Sequence, residues 1–174
     1  MLSNLVRSIL IAASTIFGLA QILRGEFYSG ALFLMAAALL IYGHFRAGPV
    51  WLIFRQLKRD EIGKAERLLN TIKNPELLAK QQRAYYWFSK ALIEDNKSNF
   101  EQAEFSYDEA LRLGLRTSND TSIAWLKLAH ISYRLGRYEE AETRVQQASK
   151  LTHHEGLDEE IRGLQNALAS KLGS

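Results

Sequence analysis

The sequence predicts an all-α chain: a two-helix transmembrane hairpin over residues 1–47, then over residues 48–174 an α-solenoid of about three helix pairs and a capping helix. Three observations predict it. Two apolar stretches of helix length stand back to back at the N-terminus, alanine and aromatic residues recur at a fixed interval through the rest, and glycine or capping residues fall where helices would end. Charge divides the chain in the same place. Only Arg7, Arg24 and Glu26 are charged among residues 1–45, whereas the 174-residue chain is 24% charged, 47% apolar and +3 net. That apolar content argues against disorder.

Residues 5–23 and 27–45 each run ~19 residues, about 28 Å as helix against a hydrocarbon core of ~30 Å. Between them "RGE", residues 24–26, reads as a tight polar turn. A buried core hairpin and a cleaved signal peptide are the alternatives, but two successive spans whose interiors lack charge and the poor cleavage context "LAQILRG" favour a membrane hairpin. Arg46, Arg55, Lys58 and Arg59 after the second span, and Arg7 at the first, outweigh Arg24 beside Glu26 in the turn, so both termini and the second domain are expected on the cytoplasmic side of an integral membrane protein. Ser14 with Gly18, and Ala36 with Leu40 and Gly43, serve either close helix approach or as ordinary membrane filler. Gly48 and Pro49 end the second helix. The following "VWLIFRQLKR" lies either at the lipid interface, with Trp51 at headgroup depth, or in the first helix of the repeats, the reading preferred; the sequence leaves residues 50–59 open between the two.

Ala65, Ala103 and Ala141 are evenly spaced, a step of 38 from 65 to 103 and again to 141. Ile62, Phe100 and Tyr138 keep step, as do Leu69, Tyr107 and Val145, and Trp87 with Trp125. Each unit reads as two helices, placed at residues 50–73, 75–114 and 121–152, with a cap over 157–172. In the third, Trp125, Leu128, Ser132 and Leu135 form one stripe, and Tyr138, Ala141, Val145 and Ala148 another. Gly136 between them supplies backbone freedom for the reversal, the aromatic wedges between the helices, and alanine lets the axes come close. Asn74 and Pro75 predict an N-cap and first turn for a helix running to about Glu94. Phe100 to Leu113 is its partner, and "LRTSNDTS" is the loop between units.

The third unit, with Trp125, Leu128, Ala129, Gly136, Tyr138, Ala141, Val145 and Ala148, resembles a tetratricopeptide repeat, and the second, with Trp87, Ala91, Phe100, Ala103, Tyr107 and Ala110, is similar. The first keeps mainly Ile62, Ala65 and Leu69. The resemblance covers roughly residues 50–172. Two departures stand out: units longer than the family's ~34 residues, and no proline near each unit's end. The resemblance implies a groove lined by the first helix of each pair that takes an extended or helical peptide. By position its lining would be Tyr85, Phe88, Ser89, Leu92, Asp95 and Asn96, then Ile123, Leu126, Lys127, His130, Tyr133 and Arg134. Lys127, His130 and Arg134 share one helix face, which suits an acidic peptide or carboxylate, although the same residues would serve as a plain solvated face. The Lys and Asn carboxylate clamp of some family members is not reproduced, since Phe88 and Leu92 occupy two of its places.

Other chemistry is not visible. Lys and Arg are interleaved with Asp and Glu and form no nucleic-acid stripe. The absence of cysteine removes disulfides, thiolate metal sites and a cysteine nucleophile. Adjacent His153 and His154 point about 100° apart on a helix and do not face one ion. No phosphate loop or catalytic motif appears, so neither an enzymatic activity, a cofactor, a metal nor a small-molecule substrate is expected. The functional expectation is a membrane-tethered protein interaction scaffold whose partners are proteins or peptides, acidic ones included, and membrane lipid. The alternative is an accessory subunit of a larger membrane complex in which the hairpin is the main interaction element.

Overall fold

The computed structural model describes residues 4–47 and 50–173. Two compact units divide at residues 48 and 49; the predicted break at Gly48 and Pro49 lies outside the described residues. Helices and a single 3-10 turn make up the regular structure of the described residues.

The first unit is a helical hairpin, α1 (Asn4–Leu23) and α2 (Phe27–Ala47). Its turn is closed by the N–H of Glu26 on the carbonyl of Gln21 (3.0 Å) and that of Gly25 on Ile22 (3.0 Å), with Gly25 at φ 86°. The helices meet most closely where Gly18 faces Gly30. A Cβ on Gly30 would stand 2.5 Å from Cγ1 of Ile22 and 2.9 Å from the Gly18 carbonyl oxygen, so only glycine fits. Phe17 and Phe33 stack edge-on beside this crossing at 4.8 Å. Ala37 is the buried alanine of α2, not Ala36, which is exposed.

The transmembrane expectation is overturned. Among the described residues no helix is long and apolar enough to cross a membrane. Ser14, Thr15 and Gln21 interrupt the apolar residues of α1. In α2 the stretch free of polar side chains runs from residue 30 to residue 41. The integral-membrane location, the cytoplasmic orientation derived from it and the lipid contact are withdrawn with it.

The second unit stacks three helix pairs and a final helix: α3 (Val50–Leu57) with α4 (Ile62–Leu69), α5 (Lys80–Asn96) with α6 (Phe100–Leu113), α7 (Ser118–Arg134) with α8 (Tyr138–Ser149), then α9 (Gly156–Leu172). The periodicity is strict in the backbone. Second helices begin at 62, 100 and 138, and the 17-residue helices α5, α7 and α9 begin at 80, 118 and 156. The turn inside each pair is the same left-handed motif. Asp60, Ser98 and Gly136 take φ of 59, 62 and 75°, and the next residue's N–H closes on a carbonyl five back: Glu61 to Gln56 (3.0 Å), Asn99 to Glu94 (2.9 Å), Arg137 to Ser132 (2.9 Å). Even the pair with the faintest sequence signal therefore turns as the others do.

Ala65, Ala103 and Ala141 are wholly buried. One core joins Phe54, Phe88, Ala91, Tyr107, Ala124 and Leu128; a second joins Leu126, Ala129, Val145 and Ala148 to Ile161, Leu164 and Leu168 of α9. Val50 and Ile53 pack with Ala65, Leu69, Tyr86 and Ile93, which places α3 in the stack, with Trp51 exposed. Gly163, Asn166 and Ser170 of α9 face solvent, so the last helix turns a polar side outward, as a terminal cap does. One local prediction fails: Asn74 and Pro75 open only the 3-10 turn Pro75–Leu77, because Leu78 is extended (ψ 146°), and α5 starts at Lys80.

Candidate functional site

The first helices of successive pairs lie side by side. Phe88 and Ala91 of α5 pack with Ala124 and Leu128 of α7, and Leu126 and Ala129 of α7 with Ile161 and Leu164 of α9. The start of α7 is fixed by Thr117, whose hydroxyl accepts the Asp120 N–H at 3.0 Å. Asp120 is buried, and the hydroxyl of Tyr85 donates to its carboxylate at 2.5 Å. Burial, with that hydrogen bond and the Asp120 charge adding to it, pushes the Tyr85 phenol up to about 12. Tyr85 is therefore a strut between α5 and α7, its hydroxyl already engaged.

The sequence-assigned lining sorts by depth. Ser89 is completely buried, and its hydroxyl has no hydrogen-bond partner among the described residues; it lies beneath the surface and lines nothing. Phe88 and Leu126 are core. Leu92 and Ile123 are half-buried against the first core, and Asn96 is exposed at the end of α5. Tyr133 is half-buried with its ring 5.5 Å from that of Tyr138, while Arg134 is exposed with its guanidinium 5.4 Å from the centroid of Phe100. Lys127 and His130 are half-buried on the same face of α7. Burial, helped by Lys127 and Arg134, pushes the His130 imidazole below its ordinary value, against the opposing pull of Glu160 from α9 and Asp95 from α5. The face that remains open thus centres on Lys127, His130 and Arg134, with Leu92, Asp95, Asn96, Ile123 and Glu160 around it.

Of the packing residues, Trp87 and Trp125 are half-buried, Trp87 lying edge-on to Phe105 at 5.7 Å with Lys90 over its ring. Phe100 and Tyr138 are half-buried at the starts of α6 and α8, after the turns at Ser98 and Gly136. His153 and His154 diverge. The ring of His153 sits between the Leu151 carbonyl (2.5 Å) and Asp158 (3.0 Å), whereas His154 donates its backbone N–H to Asn119.

Sequence reasoning missed the strongest electrostatic feature. Glu104 of α6 binds Arg137 at 2.7 Å and Arg144 at 2.7 Å, and Glu140 binds both arginines at 3.0 and 2.7 Å. Arg144, with an 11% exposed side chain, also donates to the Ser132 hydroxyl at 2.6 Å. Burial raises the Glu104 carboxyl, and the two guanidiniums overcome it, holding the group below its ordinary value. The one signal in the sequence was the Glu140 and Arg144 spacing of four; nothing pointed to Glu104 across the helices.

Residues 84–113 and 123–152 match the Tetratricopeptide repeat family model. These stretches take in the body of the α5/α6 and α7/α8 pairs, so the matched pairs are those whose first helices carry the open face. No curated protein matches the chain.

Proposed function

We propose that the repeat unit is a protein-interaction scaffold, and that a partner segment carrying acidic groups docks on the α7 face between α5 and α9. One observation carries the reading: on this face the cations have no carboxylate partner. Arg83, Arg112, Arg137, Arg144, Lys64 and Lys97 are held in ion pairs, whereas other cations of the repeat unit, Lys80, Arg116 and Lys150 among them, make none among the described residues. Lys127 makes none among the described residues, and neither does Arg134, whose guanidinium lies against the Phe100 ring. Cations held in place by a rigid helix and left unneutralised favour an anionic partner by steering and by charge-assisted hydrogen bonding. The tetratricopeptide match supports a protein as that partner, and Asp95 and Glu160 at the flanks favour one whose acidic group is central rather than continuous.

The test is affinity capture with the tagged full chain, repeated with Lys127→Glu combined with Arg134→Glu. Partners retained by the parent and lost by the double variant fit the proposal. Retention of every partner by a folded double variant places binding elsewhere.

A further inference from the structure

The strict period builds the same hollow twice. A cavity of about 420 Å³ is lined by Ser98, Phe100 and Glu101 at the turn of one pair and by Leu135 beyond the end of α7. A cavity of about 450 Å³ is lined by Gly136, Tyr138 and Glu139 at the next turn and by Leu172 at the end of α9. Each thus has a left-handed turn residue, an aromatic, a glutamate and a leucine supplied by the following first helix. Leu135 and Leu172 are 45% and 42% exposed.

This edge adjoins the α7 face at Arg134. The guanidinium of Arg134 lies over Phe100, and Arg137 is occupied by Glu104 and Glu140. Glu101 and Glu139 make no ion pair among the described residues and are exposed. Each hollow therefore sets one leucine and one aromatic beside a carboxylate that makes no ion pair among the described residues; Asn99 and Gln102 complete the lining of the first, Arg137 and Glu140 that of the second.

We propose that this turn edge is a second docking surface, fitted to a basic and apolar segment of a partner protein. One apolar side chain enters each cavity against Leu135 or Leu172, and lysine or arginine beside it meets Glu101 or Glu139. The apolar contacts supply affinity, the carboxylates select the sign of the partner's charge, and two hollows on one rigid stack let the second contact form within a single chain. An acidic segment of the kind suited to Lys127 and Arg134 is excluded here by like charge.

The full-length protein is titrated into a fluorescent peptide of repeated Lys-Leu-Gly units, with a Glu-Leu-Gly repeat as the charge-reversed probe. The lysine peptide is expected to bind, Leu135→Ser to weaken it about tenfold and Leu135→Ser with Leu172→Ser about a hundredfold. Glu101→Lys with Glu139→Lys should transfer preference to the glutamate peptide. All four positions are exposed, so these variants keep the fold, checked by circular dichroism. Lys127→Glu alone should leave the lysine peptide bound, which separates this surface from the α7 face. Failure of the lysine peptide to bind, equal binding of both peptides, indifference to the two leucines, or loss on changing Lys127 would each overturn the assignment.

Discussion

The hairpin and the repeat pairs reverse the chain in the same way and then part company. Gly25 closes α1 onto α2 with the same pattern of backbone bonds that closes the pairs at Asp60, Ser98 and Gly136. In the hairpin the helices approach through bare backbone, Gly18 against Gly30, and large side chains such as Leu23, Phe27, Leu32, Met35 and Leu39 remain exposed. In the repeats the contact runs through methyl groups, Ala65, Ala103 and Ala141, and further helices cover what one pair leaves open. Joining two helices is thus a local act set by the turn. Burying both their faces is a collective one, and it needs neighbours at a fixed spacing.

The largest test of that contrast is size at the alanines. Ala141→Leu should cost about 3 kcal/mol in urea unfolding, because the methyl is wholly enclosed and added atoms overpack the site. Ala36→Leu in the hairpin, at an exposed position, should cost close to nothing. Comparable losses at the two positions would break the comparison.

Next comes the charge cluster, a device of the stack between α6 and α8. Glu104→Gln leaves Arg144 partly buried without its main partner and should cost about 2 kcal/mol at pH 7. The Glu104 carboxyl is held below its ordinary value in the folded chain. Its contribution is therefore complete above the unfolded-state value of roughly 4.3 and is lost as pH falls through the lower folded-state value. The parent and Glu104→Gln stability curves should accordingly converge in acid; a gap that persists there would show that the loss is not electrostatic.

Smaller effects come from the shared turn. Gly136→Ala and Gly25→Ala each place a Cβ in left-handed backbone, and Gly136→Ala should lower stability by about 1 kcal/mol. Hydrogen exchange should report a matching loss at the α1/α2 turn for Gly25→Ala. Ser98→Gly works in the opposite sense and should raise stability by roughly 0.5 kcal/mol, since serine at φ 62° is mildly strained. A loss instead would mean that its side chain contributes something the turn geometry does not account for.

Much of the stack was legible in advance because period is a global signal. The alanines at 65, 103 and 141 and the aromatics beside them fixed the interval on which the helices begin. Local signals fared worse. Asn74 and Pro75 have the residue types of a helix start, yet the extended backbone at Leu78 postpones the helix to Lys80. Length and the lack of interior charge suggested spans, whereas polar interruptions such as Ser14, Thr15 and Gln21 carry no charge and escape that test, and no helix among the described residues is long and apolar enough to cross a membrane. In the candidate site, the common face of Lys127, His130 and Arg134 could be read from spacing alone. Depth could not: register places Ser89 on the same face as Leu92, but only packing shows that it is fully enclosed. Glu104 and Arg144 escaped because their pairing depends on which helices become neighbours, not on any distance along the chain.

The identical turns at 60, 98 and 136 have a consequence for editing the molecule. Excising residues 98–135 would join Lys97 to Gly136, so α5 would run into α8 through a left-handed residue already in its proper place, with every later helix still starting on schedule. A chain built this way can lose or acquire a whole module by recombination without a new linker having to be invented.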